Sequence, residues 1–466
     1  MVMAARFILD QLPDRKPWNS TFTSMPRNSE DNSAARKAPL ESRLAREKNP
    51  IKRALMILGP GLITGASDDD PSGIGTYTQA GASLGLATLW TAIVTLPMMA
   101  AIQFICAKIG MVSGMGLAGV LRKHYPRWLV VGAIILLVIA NTINAGTDIG
   151  AIAASVNLLA PRVPALALVV PIAIAIVLVQ ILGSYRTLVR IFKWLTLTLF
   201  AYIVAAFLAK PHWPEVLKAT FIPAFRFDNQ YLMTLVAIFG TTITPYLFFW
   251  QASQEVEEEL RMGRETLAER EGATDRELRI AEIDVDAGMI FASVVFYFVV
   301  LASAATLHVS GKTDIQTATD AAEALRPLSH GMATVLFALG LIGSGFLAVP
   351  ILTGASAYAM CEAFDWRYGL NEKFRDARRF YLIIAAATLV GLLINFFKIP
   401  PVTALFWTAV LNGVLAPPLI VIIMLVSNSK KVMGKRTNGL LTNFLGWSTA
   451  AIMIAAAVGM FVTWAK

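Results

Sequence analysis

Apolar runs too long for a globular core set the limits on what this chain can fold into. Trp128–Ala140 and Tyr381–Phe397 are two of them, and a helix needs about 20 mostly apolar residues to cross a bilayer core. Runs of this helical length, rather than short alternating ones, exclude an outer-membrane β-barrel. Composition agrees, with 56% of residues hydrophobic and 15% charged, where a soluble domain carries about 25% charged residues. The runs fall at 53–81, 86–107, 129–158, 165–185, 188–208, 231–253, 284–306, 332–361, 380–397, 402–427 and 442–464. The fold class is therefore all-α: a polytopic membrane protein of about 11 transmembrane helices.

An odd number of spans puts the termini on opposite sides. With the N-terminus in the cytoplasm, 32 of the 40 Lys and Arg residues lie on the inside, as the positive-inside rule requires. The net charge of +9 is thus a topology signal and not a nucleic-acid signal. The expected setting is a bacterial inner membrane, with the C-terminus external. Residues 1–50 are polar and basic, have no apolar h-region, and read as a disordered cytoplasmic tail ahead of a transporter domain at 51–466. Within that domain, 252–283 is a charged cytoplasmic loop. Across Glu255–Asp286, opposite charges recur at helical spacing, so an exposed, salt-bridged helix is expected there. Cys106 and Cys361 are too far apart in pattern for a metal motif and read as packed side chains.

Ionisable groups inside spans are costly and mark function. The first span holds Asp68, Asp69 and Asp70, and the third holds Asp148. No Lys or Arg lies deep in any span, and the four histidines sit in loops or at span edges. Buried carboxylates without a protein cation call for an external one, either a metal or a proton. Asp70 stands about 17 residues into its run, near the bilayer midplane at about 1.5 Å per residue. Pro71 removes a backbone donor and clashes with the preceding turn. Gly65, Gly73 and Gly75 loosen the helix around it. An unwound segment with free carbonyls is expected, tolerated at that depth only where it is buried or lines a cavity. Asp70 can also serve simply as the N-cap of the second half, with Pro71 at its first position.

The sixth span repeats the device as Gly240-Thr241-Thr242-Ile243-Thr244-Pro245. Interrupted helices at matching positions of two halves point to a transporter site at the repeat interface. The expected architecture is a LeuT-type inverted repeat, spans 1–5 and 6–10, with broken helices 1 and 6.

These residues resemble the Nramp family of divalent metal transporters over nearly all of the chain after the tail. The family's Gly-Pro followed by Asp-Pro-Gly-Asn is similar to Gly59-Pro60 followed by Asp70-Pro71-Ser72-Gly73. Its Gly-Ala-Thr-x-Met-Pro-His-Asn stands here as Gly240-Thr241-Thr242-Ile243-Thr244-Pro245-Tyr246-Leu247. Its third-span Thr-Asp is Thr147-Asp148, and Thr353-Gly354 with Glu362 is family-like in the eighth span. The resemblance implies an ion held at Asp70, Gly73, Thr241 and Thr244, with Asp70 the main ligand. Asp68, Asp69, Asp148, Pro71, Pro245 and Asn412 support it. It implies a transported divalent cation in a lipid bilayer, no cofactor, no catalysis and a monomer.

Departures from the family pattern redirect the ion. The family's Asn, Ala and Met become Gly73, Thr241 and Thr244. Without a soft thioether, discrimination against a hard ion is lost, and without the Asn side chain there is room for retained water. Mg²⁺ dehydrates reluctantly, so the pattern resembles the Nramp-related magnesium transporters, with Mn²⁺ also carried. The family's relay His and Glu are Tyr246 and Ala151, so uptake without proton coupling is expected. Two other readings stay open: a proton-coupled Mn²⁺ or Fe²⁺ symporter, and an organic-solute symporter such as one for amino acids. A membrane enzyme would need a second carboxylate near the first, for which Asp148 is the one candidate.

Overall fold

The structure is a computed structural model that describes residues 59–182, 197–328, 330–370, 372–397 and 399–464. The expected tail at 1–50 and the junction of the fourth and fifth spans lie outside the described residues. All regular structure among the described residues is helical. Among the described residues, nine helices are long and apolar enough to cross a membrane, counting Asn229–Arg261 as one. The first span adds two half-helices, Pro60–Asp68 and Pro71–Leu84, and the fifth adds Leu197–Leu208 as its described part. In their described parts the eleven expected segments are thus all helical. Outward faces are apolar: Leu166, Val170, Ile174 and Leu178 recur every four residues on the fourth span and are exposed, a stripe suited to lipid.

Both breaks fall where the sequence placed prolines. Asp69 leaves helical geometry at ψ 51° and Asp70 is extended at ψ 168° before Pro71 restarts the helix. In the sixth span Ile243 and Thr244 take ψ 63° and 137° before Pro245. A proline at the first helical position lacks only an N–H that would be unsatisfied anyway, and its φ is preset for the helix.

Glycines let neighbouring helices grip the broken spans. Gly61 and Gly65 lie against the backbone of Asp284–Val285 and Gly288 in the seventh span, so an added Cβ would collide with main chain. Gly240 lies in the same way against Ala409 and Gly413 of the tenth. At one end of the bundle a short helical loop over Ala318–Leu325 packs over Ile74, Ala151 and Leu405, leaving a space of about 10 Å³. That is room for no more than one water.

The charged stretch read as an exposed helix is corrected in its first part. The sixth-span helix continues to Arg261, and Glu255, Glu257 and Glu259 are buried. Neighbouring polar groups pay part of their desolvation: Tyr358 donates to Glu257 at 2.8 Å, and Arg264 pairs with Glu259 at 3.3 Å. Beyond it, Leu267–Arg270 is a short helix with no buried residue. Cys106 and Cys361 are free and buried.

Candidate cation site at the paired helix breaks

Asp70 is the N-cap of the second half-helix and is buried. Its Oδ1 accepts from the Gly73 amide and the Ser72 hydroxyl, each at 2.7 Å. Its Oδ2 accepts from the Asn144 side-chain amide at 3.1 Å. A carboxylate offers about four lone-pair positions. Three are used by these bonds, and the Ser72 amide also faces the group.

The surroundings supply more free oxygen. Both carboxylate oxygens of Asp69, one of Asp68, the side-chain carbonyl of Asn144, and the hydroxyls of Thr244 and Tyr77 are buried without a hydrogen-bond partner among the described residues. Such orphans are rare in native proteins and need a reason. Asp148 adds two more. It lies within electrostatic reach of Asp70, and the Ser72 amide faces it without closing a hydrogen bond of normal geometry. Helix ends contribute as well, because the last carbonyls of the first half-helix and of Asn229–Thr242 have no intrahelical partner and carry the negative end of the helix dipole.

Thr241 stands across the gap. Its hydroxyl is 3.4 Å from the Ser72 hydroxyl. A Cβ at Gly73 would meet that same Thr241 oxygen at 3.2 Å and the Asp68 carbonyl and Tyr77 ring at 3.4 Å, so the missing side chain faces the break of the sixth span. Asp70, Gly73 and Thr241 are therefore brought together, with Asp148 nearby. Thr244 is at the break as the N-cap of its half-helix. Asn412 is buried on the tenth span beside Gly413, which Gly240 touches, but it is not hydrogen-bonded to Asp70. The three consecutive aspartates do not form one cage: among the described residues, no group of three or more His, Cys, Asp or Glu could hold a metal. Any cation here would be held by at most two carboxylates, with neutral oxygens and water.

Several contributors were not singled out in the sequence. Asn144 precedes Asp148 by four residues and so shares its helical face; counting polar as well as ionisable residues in the third span would have found it. Ser72 stood only as a member of the Asp70-Pro71-Ser72-Gly73 motif, with no role of its own. Tyr246, read as a lost relay residue, has a definite role: its hydroxyl donates to the Ser67 carbonyl at 2.8 Å, tying the two broken spans together. One turn further along, Gln251 accepts from Thr64 at 2.5 Å and donates to Glu255 at 2.8 Å.

A multi-pass helical membrane protein whose two interrupted spans meet around a buried carboxylate has the architecture of a secondary transporter. The nucleobase-cation-symport-1 family transporter Mhp1 has this fold, at a TM-score of 0.51 and 14% identity over 87% of this chain and 91% of that one. The chain belongs to the Nramp family: residues 61–463 match the family described as natural resistance-associated macrophage protein-like. It is 28% identical over 415 residues to the divalent metal cation transporter MntH of Bacillus subtilis, covering 88% of this chain and 92% of that protein. The manganese transporter of Eremococcus coleocola shares the fold at a TM-score of 0.65 and 21% identity, over 90% of this chain and 88% of that one. Family members are membrane transporters that carry metal as cargo, so the chain is a transporter, not an enzyme, and no resident cofactor is implied.

Proposed function

We propose that the protein carries divalent cations, Mg²⁺ together with Mn²⁺, as partly hydrated ions bound at Asp70, with Gly73, Thr241 and Thr244 around them. Asp68, Asp69 and Asp148 add negative potential. Pro71 and Pro245 hold the breaks open. The observation that carries this reading is the buried Asp70 carboxylate among orphaned oxygens, with no buried Lys, Arg or His beside it among the described residues. One carboxylate with retained water is how Mg²⁺ is usually held. The absence of sulfur at Thr244 removes the ligand that would favour softer ions. The curated relatives are named for divalent metal cations.

In this reading the basic segments face the cytoplasm of a bacterial inner membrane and the protein works as a monomer. Inward movement is driven by the membrane potential, about 2.3 kcal/mol per charge per 100 mV. Tyr246 is engaged with Ser67 and Ala151 cannot titrate, which supports uptake without a coupled proton. The test is Mn²⁺ influx into proteoliposomes with and without millimolar Mg²⁺. Suppression by Mg²⁺ is expected; Mn²⁺ influx indifferent to Mg²⁺ would return the assignment to a manganese- or iron-selective carrier.

A further inference from the structure

The half-helix Pro60–Asp68 has nine residues, too few to be stable by itself. Its N-cap is Gly59, which has no side chain to cap with, and Pro60 has no N–H to offer. The remaining free donors are satisfied from another span. Asp284 accepts from Gly59 at 2.8 Å, from Gly61 at 2.6 Å and from Leu62 at 3.1 Å. It is buried on the seventh span. A carboxylate at a helix N-terminus also meets the positive end of the helix dipole. The other end of this half-helix is the cation site, where Asp69 and Asp70 leave helical geometry.

We infer that Asp284 is a positioning residue for transport, a latch that holds the first half-helix on the seventh span and so keeps the cation site closed at that end. Asp70 is buried, so one wall must move for an ion to pass. The first half-helix is the shortest wall with a non-helical joint, at Asp69–Asp70. Its other polar ties, Tyr246 to Ser67 and Thr64 to Gln251, are single bonds between uncharged groups. Bonds to a charged acceptor are stronger, and Asp284 makes three. Releasing them is the step that frees the half-helix to swing. The inference rests on the transport reading above.

The test uses full-length protein in detergent, carrying S67C and with Cys106 and Cys361 replaced by alanine. Labelling of the new thiol by a charged thiol reagent reports opening of the half-helix, and Mn²⁺ binding is measured on the same samples. With Asp284 intact, labelling is slow. Asp284→Ala is expected to raise its rate at least tenfold, Asp284→Asn by less, and Asp284→Glu to restore protection. Mn²⁺ affinity should stay within about threefold, while uptake in proteoliposomes loses maximal rate with little change in KM. Equal labelling in Asp284→Asn, Asp284→Ala and the Asp284 protein, each eluting as a single species, would overturn the latch. Failure of the Asp284 protein itself to bind Mn²⁺ would instead strike the proposed function, with the labelling comparison still deciding the latch.

Discussion

The side-chain amide of Asn144, on the third span, donates to Oδ2 of Asp70, on the broken first span, across 3.1 Å. This bond fixes the carboxylate against a helix that is itself packed along the eighth span. It leaves the carbonyl of the same amide unpartnered and beside the site. Asn144 therefore orients the ligand and offers a further oxygen.

Asn144→Ala is expected to weaken cation binding. Loss of a hydrogen bond to a charged group costs about 1.5–3 kcal/mol, or roughly ten- to a hundredfold in affinity. Mn²⁺ titration of purified protein checks it, with thermal unfolding as the control for general damage. An unchanged affinity would mean that the orientation of Asp70 is set by Ser72 and Gly73 alone.

Gly73→Asn would add an amide beside Thr241, where a Cβ alone already meets the Thr241 hydroxyl at 3.2 Å and the Asp68 carbonyl and Tyr77 ring at 3.4 Å. The approach to Thr241 at 3.2 Å is tight but meets a rotatable hydroxyl, so the variant should fold. It should disfavour Mg²⁺ relative to Mn²⁺ by removing room for retained water. Thr244→Met alone should shift the ratio less, because Gly73 still adds no side chain; the double variant should shift it most, a thioether being softer than a hydroxyl. Competition of Mg²⁺ against Mn²⁺ influx in the three variants gives the order directly.

Gly65→Ala is a test of packing rather than of chemistry. Its methyl group would collide with the Gly288 main chain, which cannot rotate aside as a side chain can. Overpacking of this kind costs about 1–3 kcal/mol, so thermal unfolding in detergent should occur at lower temperature. Gly132→Ala, at a position where an added Cβ meets nothing within 4 Å, should leave it unchanged or slightly raised.

Much of this site was legible from residue types alone. Prolines after Asp70 and Thr244 announced both breaks, because a missing N–H and a fixed φ act locally and need no knowledge of neighbours. The midplane carboxylates stood out because charge is rare in apolar runs. What could not be read was partnership across the fold. Asn144 and Tyr246 matter through the atoms they face, and those come from spans far away in the chain; Ser72 bonds Asp70 two residues back, a contact that depends on the helix break. The buried acids at Glu255, Glu257 and Glu259 misled for the same reason: a charged run looks solvated until Tyr358, Arg264 and Gln251 are seen beside it. Asp284 sat in the charged stretch and was passed over, though it caps a helix 223 residues earlier in the chain.

Metal uptake should not acidify the vesicle lumen. Tyr246 is held by the Ser67 carbonyl and position 151 is alanine, so the two relay groups implied by the family resemblance are absent. A pH-sensitive dye sealed in proteoliposomes, held at a negative internal potential while Mn²⁺ is added outside, should stay flat as Mn²⁺ enters. Acidification that tracks Mn²⁺ entry and disappears in Asp148→Asn would show that Asp148 relays protons.

The central claim is that Asp70 carries the ion, and Mg²⁺ influx into proteoliposomes loaded with a Mg²⁺-sensitive dye tests it most directly. In Asp70→Ala the carboxylate that Ser72, Gly73 and Asn144 hold in place at the breaks is gone. Influx should fall to the level of protein-free vesicles, while the variant still elutes as a single species. Mg²⁺ influx at the unaltered rate in Asp70→Ala would contradict the account.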